Sequence, residues 1–470
     1  TGVDAFENAA DKTSYTFTEE TIKEAGADSE TMAADTDYAI VVVGQPYNGI
    51  SGEGVDRKYL NLSEDQMSMV STVADNYAKA GKKTIVVINT EYPVEAEDLQ
   101  NNPNVSAIVY KPFGGQYDAT ALVNVLYGEA NPTGRLVSTW YTSEEALPEI
   151  DEYAMPNNAM ANIGGQLVEG LTLDDLDDGV TVDMTETDMA QYNLTYMYAE
   201  DEDVTYPFGY GLSYSDFTYS GMSASAGEDT VTVSLSVKNT GSVATADVVQ
   251  IYAANPDSAY GETAPDKKLV GFEKVELDAG ETKTVTIEVE MDDLEVWDVN
   301  AGDYTVESGG YKFYAAHSSD LSGENVLSAD VRIDGADISN ANTDEELNIW
   351  SSSYKANDLE YVEYSKGNTA EAAAADSDEM FAVMAKAEGA YAAIPKVDVS
   401  DLDKANLTVA STVSGNSIEI RTDSPTGTVL GTVTFDVTDP QTSERAAKDG
   451  YDAGSYTELS YTTVSTDLAE

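Results

Sequence analysis

The chain has no cysteine and a single histidine. The first absence excludes disulfides, thiolate catalysis and cysteine-built zinc sites. The second excludes a polyhistidine metal cluster, and it leaves any Ser-His or Cys-His scheme dependent on His317 alone. That residue lies in a late β-rich region, where packing at a surface or sheet edge is the expected role. Positive charge is also scarce. Against 86 Asp and Glu stand 24 Lys and Arg, for a net charge of -62. Nucleic acids and anionic membranes need a basic patch, so no nucleic-acid partner is expected. No apolar run approaches the roughly 20 residues that span a bilayer, so no membrane insertion is expected. The acidity fits a high-salt habitat, where screening is strong, or an acidic secreted protein from an ordinary one. The expected location is extracellular or cell-surface. The chain starts without Met or a secretory leader, so it reads as a processed form or a piece of a longer polypeptide.

What is present is enough to fold. Apolar residues make up 41% of 470, a length that fits roughly three domains. Tyr38 to Gly44 is a continuous apolar run closed by glycine, the pattern of a parallel strand buried on both faces. Thr84 to Asn89 and Val105 to Tyr110 repeat it, and Leu136 to Thr139 reads as a fourth strand. Between them lie two helical patterns. One starts at a capping box, Ser63 with Gln66, and is closed by Gly81; the other runs from Tyr117 to Tyr127 before Gly128. A short helix is also expected after Tyr15–Phe17. This order predicts an open, mostly parallel α/β sheet with helices on both sides over residues 1–216. Ligands of such sheets gather beyond the carboxyl ends of the strands.

From Phe217 the texture becomes alternation, clearest in Thr230 to Lys238. It predicts a small β-sandwich over 217–330. A polar linker is expected over 331–360. A second β-rich module, with Ile418 to Arg421 and Val429 to Val433, occupies 361–470.

The loop leaving the first strand carries Ser51-Gly52-Glu53-Gly54-Val55-Asp56-Arg57. Glycosidic cleavage needs a proton for the leaving oxygen and a carboxylate across the sugar ring. Glu53 sits between glycines, which let the backbone present a side chain into a crevice. Burial or a neighbouring carboxylate would raise its pKa, as an acid requires. Asp56 and Arg57 would pair to shape the loop. In so acidic a chain, a solvated glutamate in a turn is the competing reading.

The wider pattern resembles glycoside hydrolase family 3. Ile50 to Arg57, Leu60-Asn61-Leu62-Ser63 and Gln66 are similar to its "EGxDR…LxLPxxQ" stretch, with Ser63 where proline is usual. Gly114-Gly115-Gln116 through Asn131-Pro132-Thr133-Gly134-Arg135-Leu136 and Thr139 form a second match. Tyr206-Pro207-Phe208-Gly209-Tyr210-Gly211-Leu212-Ser213-Tyr214 with Phe217 form a third. Val237 to Gly241 and Leu269 to Phe272 resemble the family's fibronectin type III-like domain.

The resemblance implies a retaining β-glycosidase of the β-glucosidase or β-xylosidase type, acting on a β-linked oligosaccharide or glycoside. Glu53 would be the acid/base. The nucleophile would be an aspartate on a (β/α)8 barrel, supplied by a missing N-terminal part or by a separate chain. No cofactor is needed for that chemistry. The 470 residues alone are expected to be inactive.

The last module resembles a carbohydrate-binding jelly roll of the family 6 kind, through Gly389 to Ala392, Val397 to Ser400 and Ile418 to Gly431. That implies Tyr391 as a sugar-stacking candidate and Asp423 as a ligand of a structural calcium. The family's first α/β strand has no evident counterpart, and no closing strand is evident before Glu470, so both ends read as cut through domains. The competing function is a non-catalytic carbohydrate-binding or surface-structural protein.

Overall fold

A computed structural model describes residues 19–44, 59–147, 187–188, 195–261, 264–323, 325–343, 347, 349, 355–357, 359–363, 381–385, 387–411, 413–438 and 461–469. The three apolar runs form strands β1 (Tyr38–Val43), β2 (Lys83–Ile88) and β3 (Val105–Tyr110). They make one parallel sheet in the order β1-β2-β3. The ladder continues past the strands, with Asn89 N–H bonded to Val43 O at 2.7 Å and Lys111 N–H to Ile88 O at 2.8 Å.

One face of this sheet is tightly covered. Val41, Val43, Val86 and Ile88 pack with Met69, Val70, Val73 and Tyr77 of helix α2 (Glu64–Lys79). Ser63 caps that helix by accepting the Gln66 N–H at 3.3 Å, and Gly81 closes it with φ +72°. The expected early helix is α1 (Glu19–Asp35), 17 residues long. It lies along α2 through Asn76 Nδ2 to Ser29 Oγ (2.8 Å) and a Thr36–Tyr77 hydroxyl pair (2.6 Å). Lys82 Nζ reaches back to the Ala33 carbonyl at 2.6 Å, a cation where the helix dipole favours one.

The opposite face is looser. Ile40, Val42 and Ile85 are only half-buried. The short helix α3 (Glu97–Asn101) precedes β3, and α4 (Asp118–Leu126) follows it. Tyr38 meets Tyr127 at the end of α4, and that hydrogen bond, with partial burial, pushes its phenol up to about 12.

Leu136 to Thr139 is not a strand. Its backbone is committed elsewhere: Leu136 N–H bonds to Tyr210 O (2.9 Å) and Gly209 N–H to Leu136 O (2.8 Å). The nearest strand is β4 (Trp140–Tyr141), which pairs antiparallel with β6 (Val204–Tyr206) in a separate two-stranded sheet.

The sandwich forms as its alternation predicts. One sheet is β11 (Thr282–Glu290), β8 (Thr230–Asn239) and β7 (Phe217–Ala226); the other is β10 (Lys268–Leu277), β9 (Thr245–Ala254), β14 (Gly309–Ala316) and β15 (Leu327–Ile333). On β8, Val231, Val233, Leu235 and Val237 are buried while their neighbours are half-buried or exposed. Strand β9 departs from this rule. Val249 and Ile251 fill the core, yet the outward Gln250 and Tyr252 are buried as well.

The cover over β9 is the signature segment of the α/β domain. Gln250 Nε2 donates to Gly209 O (3.0 Å) and His317 O (2.7 Å), and Tyr252 OH donates to Gln250 Oε1 (2.7 Å). Tyr196 stacks on Phe208 at 4.2 Å and meets Tyr252 edge-on at 6.3 Å. Two glycines are required here. A Cβ on Gly209 would lie 2.0 Å from Gln250 Oε1, and one on Gly211 would lie 2.4 Å from Gly134 O.

Residues 334–342 run against the sandwich. Ser308 N–H bonds to Ala336 O and Ala336 N–H to Val306 O, both at 2.8 Å, and Ile338 is 2% exposed. Beyond lies a further β region. β16 (Lys355–Asn357) pairs with β19 (Tyr391–Ala393), and β17 (Leu359–Glu363) lies between β18 (Phe381–Ala385) and the two-residue β5 (Thr187–Asp188). β21 (Asn416–Arg421) pairs with β22 (Val429–Phe435). The chain does have a late strand, contrary to expectation. β23 (Thr462–Asp467) pairs with β20 (Lys404–Val409), because Thr462, Thr463, Val464 and Thr466 are β-branched and favour the extended chain.

Candidate functional site

The carboxyl ends of β1, β2 and β3 bring Gly44, Asn89 and Lys111 to one crest. Gly44 is where the Glu53-bearing loop departs. Glu53, Asp56 and Arg57 themselves lie outside the described residues. The two anchors of the loop do not, and both are held by side chains.

At the entry, Gln66 holds both polar groups of Gly44: its Nε2 donates to Gly44 O at 2.7 Å, and its Oε1 accepts the Gly44 N–H at 3.4 Å. A Cβ at Gly44 would lie 2.1 Å from the Asn89 carbonyl oxygen, so only glycine fits. The expected capping box is therefore half made. Ser63 caps the helix, but the Gln66 side chain serves Gly44 across the sheet end.

At the exit, three hydrogen bonds close a ring. Leu60 N–H donates to Glu144 Oε1 (2.6 Å), Glu144 N–H to Glu95 Oε1 (3.2 Å) and Glu95 N–H to Leu60 O (3.1 Å). Burial pushes the Glu95 carboxyl up. The Glu144 N–H opposes this, while the charges of Glu144 and Asp98 add to the rise. Neither glutamate stands out in a chain with 86 acids, because the contacts that select them span 49 and 84 residues.

The Pro112 to Gln116 turn leaves the neighbouring strand end, as expected. Lys111 pairs with Asp118 behind it, and Phe113 and Tyr117 are exposed.

A second concavity lies where the α/β domain meets the sandwich. Its floor is Arg135 Nη2 on Asp247 Oδ1 at 2.9 Å, with the Asp247 side chain fully buried. Tyr219 OH donates to Asp247 Oδ2 (2.7 Å), and His317 Nδ1 lies 3.3 Å from the same oxygen. Burial alone would raise the Asp247 pKa. Hydrogen bonding and charge from His317, then Tyr219 and Arg135, outweigh it and hold the carboxyl below its usual range. Burial pushes the Tyr219 phenol well up. His317 lies just past the end of β14, partly exposed rather than at a sheet edge, with its ring 4.2 Å from that of Tyr219 and tilted by 32°.

In the last region, Tyr391 is half-buried on β19. Asp423 is exposed just past β21, at φ +65°. Among the described residues, no group of three or more His, Asp or Glu gathers into a metal site.

Comparison with known proteins accounts for most of this architecture. Residues 3–214 match the family model of the "Glycosyl hydrolase family 3 C-terminal domain", and residues 247–319 match the "Fibronectin type III-like domain". The chain is 34% identical over 309 residues to the "Probable beta-glucosidase D" of Aspergillus niger, covering 61% of this chain and 36% of that protein. It is 34% identical over 310 residues to the "Probable beta-glucosidase L" of Aspergillus fumigatus, covering 61% and 38%. Among solved structures it is similar to beta-glucosidase of Kluyveromyces marxianus in complex with glucose, with TM-score 0.52, 27% identity, and 68% of this chain and 34% of that one covered. Beta-glucosidase 3B of Thermotoga neapolitana gives TM-score 0.50, 27% identity, and 65% and 39%. The chain thus spans between a third and two fifths of the relatives it matches. The chain therefore carries a glycosyl hydrolase family 3 C-terminal domain, followed by a fibronectin type III-like domain.

Proposed function

We propose that this chain is the C-terminal portion of a secreted retaining β-glycosidase of the β-glucosidase or β-xylosidase type. The observation that carries the reading is the ordered pair of matched domains, with 34% of the aligned residues identical to proteins named as probable β-glucosidases. Glu53 is the acid/base. It protonates the leaving oxygen while a carboxylate from a (β/α)8 barrel outside these residues attacks the anomeric carbon. It then takes a proton from the water that releases the sugar. The scheme needs two carboxylates and no cofactor. The anchors at Gly44 and Leu60 support it, because an acid must be held close to its working position.

The test is turnover of aryl β-glucosides and aryl β-xylosides by the protein joined to its barrel, with and without Glu53→Gln. We expect a fall of about a hundredfold or more in kcat/KM on substrates with poor leaving groups. Unchanged turnover overturns the assignment. The 470-residue chain alone is expected to be inactive.

The last region is proposed as a carbohydrate-binding jelly roll, with Tyr391 stacking on sugar and Asp423 supplying one oxygen to a structural calcium. Its β-rich make-up supports this reading. Calcium wants six to eight oxygens, so most donors would be carbonyls or residues outside those described. A rise in Tm on adding calcium, lost in Asp423→Ala, is the expected result. The competing reading, a non-catalytic binding or surface protein, predicts glycan binding with no turnover in the joined protein.

A further inference from the structure

We propose that the concavity between the α/β domain and the sandwich is a binding site for a neutral sugar-sized polyol. The cavity is about 690 Å³, within the range of small-ligand sites. It is lined from both domains.

The chemistry of its walls selects the ligand. Tyr206 and Tyr210 line it as a stacked pair 5.2 Å apart, giving flat apolar surface for the C–H face of a pyranose. Neither of their hydroxyls has a hydrogen-bond partner among the described residues. Burial pushes both phenols up, Tyr206 to about 12, so both remain neutral donors across the physiological range.

Two further lining residues keep an unpaired polar atom. Thr139 is 9% exposed and its Oγ1 lacks a partner; Arg135 Nε lacks one as well. Buried polar groups are normally satisfied, and each exception calls for an explanation. A polyhydroxyl ligand, with small side-chain adjustments, supplies such partners.

Charge excludes the alternatives to a neutral ligand. Arg135 is neutralised by Asp247, and Lys267 faces Asp201 at 3.9 Å. Asp216 and Asp320 stand exposed at the margin and repel anions, as does the net charge of -62. Those carboxylates accept hydrogen bonds from sugar hydroxyls.

The experiment is titration of the 470-residue chain with glucose and with cellobiose, followed by calorimetry or saturation-transfer NMR. We expect saturable binding in the millimolar range. Tyr210→Phe keeps the ring and loses the hydroxyl, so it should weaken binding about fivefold, the equivalent of one neutral hydrogen bond. Thr139→Val should weaken it similarly; all titrations are run in a Tyr391→Ala background, so that the sugar site proposed for the last region does not contribute. Circular dichroism confirms that each variant is folded. No binding of either sugar up to about 100 mM overturns the proposal. So does binding that survives Tyr210→Phe and Thr139→Val intact. None of these outcomes depends on turnover, so failure here leaves the Glu53 assignment standing.

Discussion

Strands β9 and β3 read alike and are covered differently. Each is a nearly continuous apolar run. On β9 the outward Gln250 and Tyr252 are as buried as the inward Val249 and Ile251, because the Phe208–Gly209 segment and Tyr196 lie over them. On β3 Ser106 and Ala107 are exposed, and Val105, Ile108, Val109 and Tyr110 are only half-buried. An apolar run states how much cover a strand is built for. Whether the cover arrives is decided by segments far away in sequence. At β9 it arrives from the α/β domain; β3, at the edge of the three-stranded sheet, stays partly open among the described residues.

The difference can be broken or sharpened by mutation. The largest effect is expected at Tyr252→Ala. It empties a fully buried site under the domain junction and leaves Gln250 Oε1 unpaired, for a loss of about 3–5 kcal/mol in urea unfolding. Next is Asp247→Ala, which strands a buried guanidinium at a cost of about 3 kcal/mol. The folded-state pKa of Asp247 is depressed, so its contribution is present above the unfolded value, near 3.9. It is lost as pH falls through the folded value. The gap between wild type and Asp247→Ala should therefore close as pH falls below about 4.

Ile108→Ala on β3 should cost about 1–2 kcal/mol, since the side chain is only half-buried. A loss equal to that of Tyr252→Ala would break the comparison. The smallest effect is expected at Glu144→Ala. It opens the exposed ring at Leu60, changes stability by about 1 kcal/mol or less, and shows as faster hydrogen exchange at the Leu60 amide. Glu144→Gln, which keeps the acceptor, should exchange as wild type does.

Local pattern made the strands legible and hid the joints. The runs at Tyr38, Thr84 and Val105 became β1, β2 and β3 within a residue or two, since a buried parallel strand needs an unbroken apolar stretch. The alternation from Thr230 to Lys238 became β8 for the same kind of reason. Leu136 to Thr139 has a strand's composition, but its hydrogen bonds go to the Gly209–Tyr210 turn some 70 residues later, which no local pattern encodes. Arg135 and Asp247 are 112 residues apart, so their pairing was equally hidden. At the candidate site, glycine and Gln66 were visible as a loop and a helix cap. The second use of Gln66, as a clamp on Gly44, appears only once β1 and α2 are side by side.

Gly209 of the signature segment carries a thermodynamic consequence. Gly209 lets the α/β domain approach the Gln250 side chain of the sandwich until no side-chain atom fits between them. Such a joint has no slack to act as a hinge. Losing the sandwich would strip the α/β domain of the partners of Gly209 and Arg135, and the reverse loss would bare Tyr252. We expect the pair to unfold together, as one calorimetric transition, although each half has its own core; two resolved transitions would show the halves to be independent.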